Sequence, residues 1–202
     1  MEFKYYITVP KEYLELSKYE LLIMTHLYEG KTIGKRLSVF ITSALAEEYN
    51  INTDKKRKSI IDALNSLIKK NIISVTKKNN LWVVDLNKIE PKEKYFFRVY
   101  INDMNKIFEN GNINLFRYYC IIMSSLNSKT RKARIPITML GEQYNLSKMT
   151  ILKYNKILEQ MKILNISHGN YLNCNIYRNC NEYDSKNNWG SAPEKFEELP
   201  AV

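Results

Sequence analysis

Apolar residues along this chain recur at two periods, and each switch between them marks a new element. Leu21, Leu22, Met24, Leu27 and Tyr28 fall at helical spacing behind Ser17 and Glu20. That pair has the separation of a capping box, so a helix is predicted from Ser17 to near Gly30, a C-terminal stop. Leu37, Val39 and Ile41 alternate as a short half-buried strand does. Thr42 is then placed to cap a helix with Leu45, Ala46 and Tyr49 on one face, broken at Asn50. Thr53 or Asp54 caps the next helix, in which Ile60, Ile61, Leu64, Leu67 and Ile68 recur at steps of three and four until about Lys70. Ile72, Ile73 and Val75 lead into Lys77, Lys78, Asn79 and Asn80. This is a hairpin signal, because Asn tolerates positive φ, and the return strand is Leu81–Leu86.

Pro91, among Lys92, Glu93 and Lys94, marks a link. An aromatic strand from Tyr95 to Ile101, a short helix near Asn102 to Glu109 and a helix from Asn114 to Leu126 follow. A basic loop (Lys129, Arg131, Lys132, Arg134) then precedes a strand around Arg134 to Ile137. Thr138 is expected to cap a short helix, and Ser147 to cap one that buries Ile151, Tyr154, Leu158 and Met161. The last hairpin runs from Ile163 to Ser167, turns at His168, Gly169 and Asn170, and returns from Tyr171 to Tyr177. Helix, strand, helix, turn, helix, hairpin thus occurs twice.

The residues repeat as well as the pattern. Leu45, Tyr49 and Ile51 match Leu140, Tyr144 and Leu146 at an offset of 95, whereas Leu67 to Ile73 match Leu158 to Leu164 at an offset of 91. The first copy therefore carries four extra residues, which must lie within Asn52 to Ser59. A period this long exceeds a solenoid unit and has the size of a small domain. The expected organisation is residues 1–90, residues 91–180, each able to own a core, and an acidic C-terminal tail over 181–202.

Over Ser17 to Leu86 and again over Asn114 to Tyr177 this order resembles the winged-helix superfamily. The resemblance implies an α+β, mainly α chain built as two tandem winged helix-turn-helix domains. The arrangement looks like the DNA-binding parts of Firmicute plasmid and phage replication proteins and of small tandem regulators on mobile elements. In such units the second helix of the pair enters the major groove with its amino-terminal residues at base edges, and the wing touches phosphate or the minor groove.

Charge sharpens that expectation. The chain carries 31 basic and 21 acidic side chains, a net of +10 at pH 7. A competing source of this total is a Lys, Asn, Ile and Tyr usage typical of AT-rich codons, so its distribution is the better guide. Asn52 to Asn80 holds eight Lys/Arg against two Asp, and Ser147 to Cys180 five against one Glu. These are the same part of each repeat, and together they equal the whole net charge, as expected for contact with a polyanion. The stretch from Asn181 onward has two basic and five acidic residues and is not expected on that surface.

The candidate DNA contacts in the first half are Thr53, Lys55, Lys56, Arg57 and Lys58 at the start of the third helix, with Lys77 and Lys78 in the wing. Four cations in a first turn oppose the helix dipole, at about 0.3 to 1 kcal/mol each, so stability does not select them. In the second half Ser147, Lys148, Met149, Thr150 and Lys153 form a mixed polar and apolar start better suited to base edges. His168 and Asn170 in the second wing, and Arg131 and Lys132 before the strand, are backbone candidates. The competing assignment for Met149 is a packed residue. Tyr154, on the apolar face, is assigned to the core.

Little else points to chemistry. His26 sits alone within a helix and is assigned a structural role. Glu47, Glu48 and Glu142 are expected on exposed faces, with no converging acid, metal set or Ser/His/Asp arrangement. There is no G-x-x-x-x-G-K-[ST] or G-x-G-x-x-G motif for ATP or a dinucleotide. Cys120, Cys174 and Cys180 show no C-x-x-C pair and are read as reduced thiols. With no apolar run of membrane length and no signal-peptide pattern, the expectation is a cytoplasmic protein without cofactor or metal. The expected function is non-enzymatic binding of double-stranded DNA, in control of replication initiation or transcription of a plasmid, phage or other mobile element. Replication or transcription proteins would be its further partners. The rival is a tandem winged-helix scaffold in a segregation or replisome complex, which would need no basic recognition helices. Single-stranded DNA handling, for which the fifteen Tyr offer stacking groups, is disfavoured because most fall at apolar-face spacings.

Overall fold

A computed structural model describes residues 6–32, 38–40, 42–51, 53–78, 81–87, 95–127, 130, 132–168 and 174–179. The fold is α+β and mainly helical. The chain opens with β1 (Tyr6–Pro10) and a 3-10 turn (Lys11–Glu15), then α1 (Lys18–Thr32). The capping box forms: the Ser17 backbone N–H donates to Glu20 Oε2 at 2.7 Å, and the Glu20 N–H to Ser17 Oγ at 3.4 Å. Gly30 does not end α1, which runs on to Thr32. A helical glycine costs only about 1 kcal/mol relative to alanine, which neighbouring packing offsets.

Next come β2 (Ser38–Phe40), α2 (Thr42–Glu48), α3 (Asp54–Lys69), β3 (Ile73–Lys78) and β4 (Leu81–Leu86). Leu37 and Ile41, expected in the strand, lie outside the described residues, and α2 begins on Thr42 itself. Thr53 is the α3 cap, its side chain accepting from the Lys56 N–H. The second series is β5 (Phe96–Tyr100), α4 (Ile101–Phe108), α5 (Ile113–Ser125), β6 (Lys132–Pro136), α6 (Ile137–Tyr144), α7 (Lys148–Gln160), β7 (Leu164–His168) and β8 (Cys174–Asn179). Two sequence expectations need correction. Thr138 is the second residue of α6 rather than its cap, the cap position being Pro136 with its extended backbone. Lys132 belongs to β6 rather than to the loop, so the strand begins two residues before Arg134, because Ala133 and Ile135 alternate into the core.

The two series match in backbone detail. β2-β4-β3 and β6-β8-β7 are antiparallel sheets of identical order. Asn50 (φ 50°) and Asn145 (φ 52°) reverse the chain after α2 and α6, and Asn71 (φ 58°) and Lys162 (φ 55°) do so after α3 and α7. The closing bonds repeat too: Ile51 N–H to Ala46 C=O and Leu146 N–H to Gly141 C=O, each 2.8 to 3.1 Å. Left-handed backbone is where Asn is tolerated and Lys costs about 1 kcal/mol or more.

What periodicity did not predict is β1, or its pairing with β5 in a separate two-stranded ribbon. The buried residues then form one continuous cluster through both halves. Tyr49, Phe108 and Phe116 carry it across, with ring centroids 4.7 and 5.2 Å apart. At the crossing Gly111 (φ 56°) lies so close to Asn50 that a Cβ there would come within 2.2 Å of the Asn50 carbonyl oxygen. Only glycine fits that contact.

Candidate nucleic-acid interface

The start of α7 is built by its cap. Ser147 has an extended backbone, and its Oγ accepts from the Thr150 N–H at 3.1 Å and lies 2.8 Å from the Thr150 hydroxyl. The cap thereby orients Thr150. Lys148 and Lys153 are exposed, and Met149 is 75% exposed. Met149 is therefore not a packed residue. Tyr154 is half-buried against Tyr118, with ring centroids 5.4 Å apart, in keeping with its core assignment.

The start of α3 is longer and more charged. α3 has 16 residues against 13 in α7, and Thr53 to Leu67 spans three more residues than Ser147 to Leu158. Most of the inserted sequence is therefore nearly one added turn of helix. That turn carries Lys55 and Lys58, exposed, and Lys56 and Arg57, partly covered. The Ser59 hydroxyl donates back to the Lys55 carbonyl at 3.0 Å and steadies it. Thr53 stays exposed beside them.

Each helix is held to its unit by a polar device on its inner side. Lys70, just after α3, pairs at 2.7 Å with the buried Glu20 carboxylate on α1. Burial pushes the Glu20 carboxyl up, but hydrogen bonds from Lys70, Ser66 and Ser17 outweigh it and hold the group below its ordinary value. α7 uses neutral groups. The Tyr118 hydroxyl on α5 donates to Asn155 Oδ1 at 2.6 Å, and Asn155 Nδ2 donates to the Tyr177 hydroxyl on β8 at 3.2 Å. Asn175 Nδ2 donates to that same hydroxyl at 3.2 Å. Sequence reasoning missed this network. Its one signal was an Asn at position 155, four residues after Ile151 on an otherwise apolar face.

The remaining candidates are more scattered. Lys77 and Lys78 end β3 opposite Trp82 and Leu81, and His168 ends β7 opposite Asn175, but their side chains are outside the described part. Arg131 and Asn170 lie outside the described residues altogether. Lys132 and Arg134 share the outward face of β6, Arg134 being exposed, and Lys132 is in register with Arg178 of β8.

Glu48 does meet a second acid and a histidine, contrary to expectation. His26, Glu29 and Glu48 place potential ligand atoms within 4.8 Å of one another, the one such set among the described residues. Its His26 Nδ1 is already 2.9 Å from the Tyr49 hydroxyl. Burial and the neighbouring Glu48 and Glu29 carboxylates raise the Tyr49 hydroxyl well above its ordinary value, so it stays protonated and His26 gives it a partner. The cluster thus ties α1 to α2. Cys120 is fully buried, and burial pushes its thiol up, which suppresses thiolate chemistry. No helix among the described residues is long and apolar enough to cross a membrane.

No protein-family model matches this sequence, and neither does any curated protein.

Proposed function

We propose that this protein is a non-enzymatic reader of double-stranded DNA. It is built as two tandem winged helix-turn-helix units, 1–90 and 91–180, and controls replication initiation or transcription of a plasmid, phage or other mobile element. One observation carries the reading: both copies of the same helix-strand-helix-helix-hairpin order present a capped, solvent-exposed and cationic start of their third helix. That is the element a helix-turn-helix inserts into the major groove. Thr53, Lys55, Lys56, Arg57 and Lys58 act chiefly on phosphate, and Ser147, Lys148, Met149, Thr150 and Lys153 on base edges. Lys77, Lys78, Arg131, Lys132, His168 and Asn170 supply backbone contacts from wings and strand. The placement of charge supports this, because codon bias would spread lysines evenly whereas the excess gathers in equivalent windows of the two copies. The test is a titration of labelled duplex across salt concentrations. With about six to eight phosphates engaged, log affinity should fall against log salt with a slope of roughly −5 to −7. A flat response overturns the reading in favour of a protein scaffold.

A further inference from the structure

Resting on the DNA-binding reading above, we propose that the two halves read duplex DNA about an internal pseudo-two-fold axis, so that the target is an imperfect inverted repeat with one arm under α3 and the other under α7. The axis is visible in the ribbon of β1 and β5. Tyr6, Ile7, Thr8 and Val9 have Phe96, Phe97, Arg98 and Val99 as counterparts, 90 residues later. Their burial agrees at the aromatic and aliphatic positions: Tyr6 and Phe96 are exposed, Ile7 and Phe97 buried, Val9 and Val99 buried. These equivalent strands pair antiparallel, with Thr8 opposite its own counterpart Arg98. Ile7 faces Val99 just as Val9 faces Phe97. Equivalent strands in such a register are related by a two-fold perpendicular to the ribbon, through the self-paired position.

The helices obey the same symmetry. α1 and α5, the first helices of the two units, pack on each other. Lys18 at the start of α1 donates to Asn114 Oδ1 at the start of α5 at 2.9 Å. Contact between equivalent patches is what a two-fold produces, whereas a head-to-tail arrangement seats one patch on a different one. Away from the axis, the ends of α2 and α6 each lie near the other unit. Asn50, after α2, donates to the Phe108 carbonyl on the approach to α5 at 3.0 Å. Tyr144 and Asn145, at the end of α6, share a cavity with Lys18 at the start of α1.

Readers related by a two-fold meet the two DNA strands in opposite senses, and a target matching that symmetry is an inverted repeat. The arms are unequal because α3 starts with Lys55, Lys56, Arg57 and Lys58 and α7 with Lys148, Met149 and Thr150. The α7 arm is therefore the stricter in sequence.

The full chain is used to select binding sites from a random duplex pool. Affinities are then compared for the selected site and for the same two half-sites, equally spaced, arranged as a direct repeat. An inverted repeat is expected, with the direct repeat bound about tenfold or more weakly. In the Lys148→Ala, Thr150→Ala double variant, selection should relax in one arm only. Selection of a direct repeat or a lone half-site, or equal binding of both arrangements, overturns the two-fold while leaving DNA binding intact. Failure to bind any duplex at low salt overturns both readings.

Discussion

The two halves present the same helix in the same place but start it and anchor it differently. α3 begins with an added turn of cations and is tied back to α1 through a partly exposed lysine and a buried glutamate. α7 begins with a short mixed set of side chains and is fixed by a fully buried neutral network of Asn155, Tyr118 and Tyr177. A reader that senses chiefly charge tolerates small displacements, since Coulomb attraction falls slowly with distance. A reader of base edges does not, because hydrogen bonds weaken steeply outside a narrow geometry. The more directional anchor lies under the helix whose start is less charged.

Removing the stiffer anchor should have the largest effect. Asn155→Ala removes the acceptor of the Tyr118 hydroxyl and one donor to the Tyr177 hydroxyl, both buried, and should destabilise the fold by about 2 to 3 kcal/mol. Urea unfolding reads the change. If the variant is as stable as the parent, the network is dispensable and the contrast between the anchors fails.

Replacing Lys55, Arg57 and Lys58 with Ala should weaken binding to every duplex and lower the salt slope by about 2 to 3. The fold should gain slightly in stability as the dipole conflict is relieved. Unchanged binding with reduced stability would make this turn structural.

Lys148→Ala with Thr150→Ala should cost about 1 to 3 kcal/mol on the selected site for each base edge that is no longer read, with much less effect on scrambled duplex. Thr150 belongs to the cap, so thermal unfolding of the variant separates weakened base recognition from a loosened helix start. Equal weakening on both duplexes would show that α7 only positions the protein.

The smallest effect concerns Glu20. Its carboxyl is held lower in the folded chain than its ordinary value of 4.5, so its contribution to stability is fully present above that value. The contribution disappears as pH falls through the lower folded-state value. Glu20→Gln should cost about 1 kcal/mol at neutral pH and flatten the acid limb of a stability profile. An unaltered acid limb would remove the ion pair from the anchoring of α3.

Local pattern was enough for most elements. The Ser17–Glu20 box, the Thr53 and Ser147 caps, the reversal at Asn50 and the strands of the first hairpin were legible because each depends on residues within one or two turns of itself. In the second hairpin, by contrast, His168 belongs to β7 rather than to the turn, and the return strand is Cys174–Asn179 rather than Tyr171 to Tyr177. Errors arose where a local cue was outweighed by packing. Gly30 was carried along by the helix around it, and the alternation of Ala133 and Ile135 drew Lys132 into the strand. The cationic start of α3 was equally legible, since a run of like charge in a helix's first turn has no stabilising use there.

Other features were decided only by the tertiary structure. Tyr6 to Pro10 forms a strand because Phe96 to Tyr100 lies beside it, and so short an alternation is too little to announce that alone. Asn155 is a buried anchor because Tyr118 and Tyr177, 37 residues before it and 22 after, converge on it. The sequence by itself determined that the chain contains one unit twice, since a repeat is a property of order along the chain. That the copies face each other across a two-fold, rather than following head to tail, was settled by which apolar faces could be buried together, and burial is a property of space.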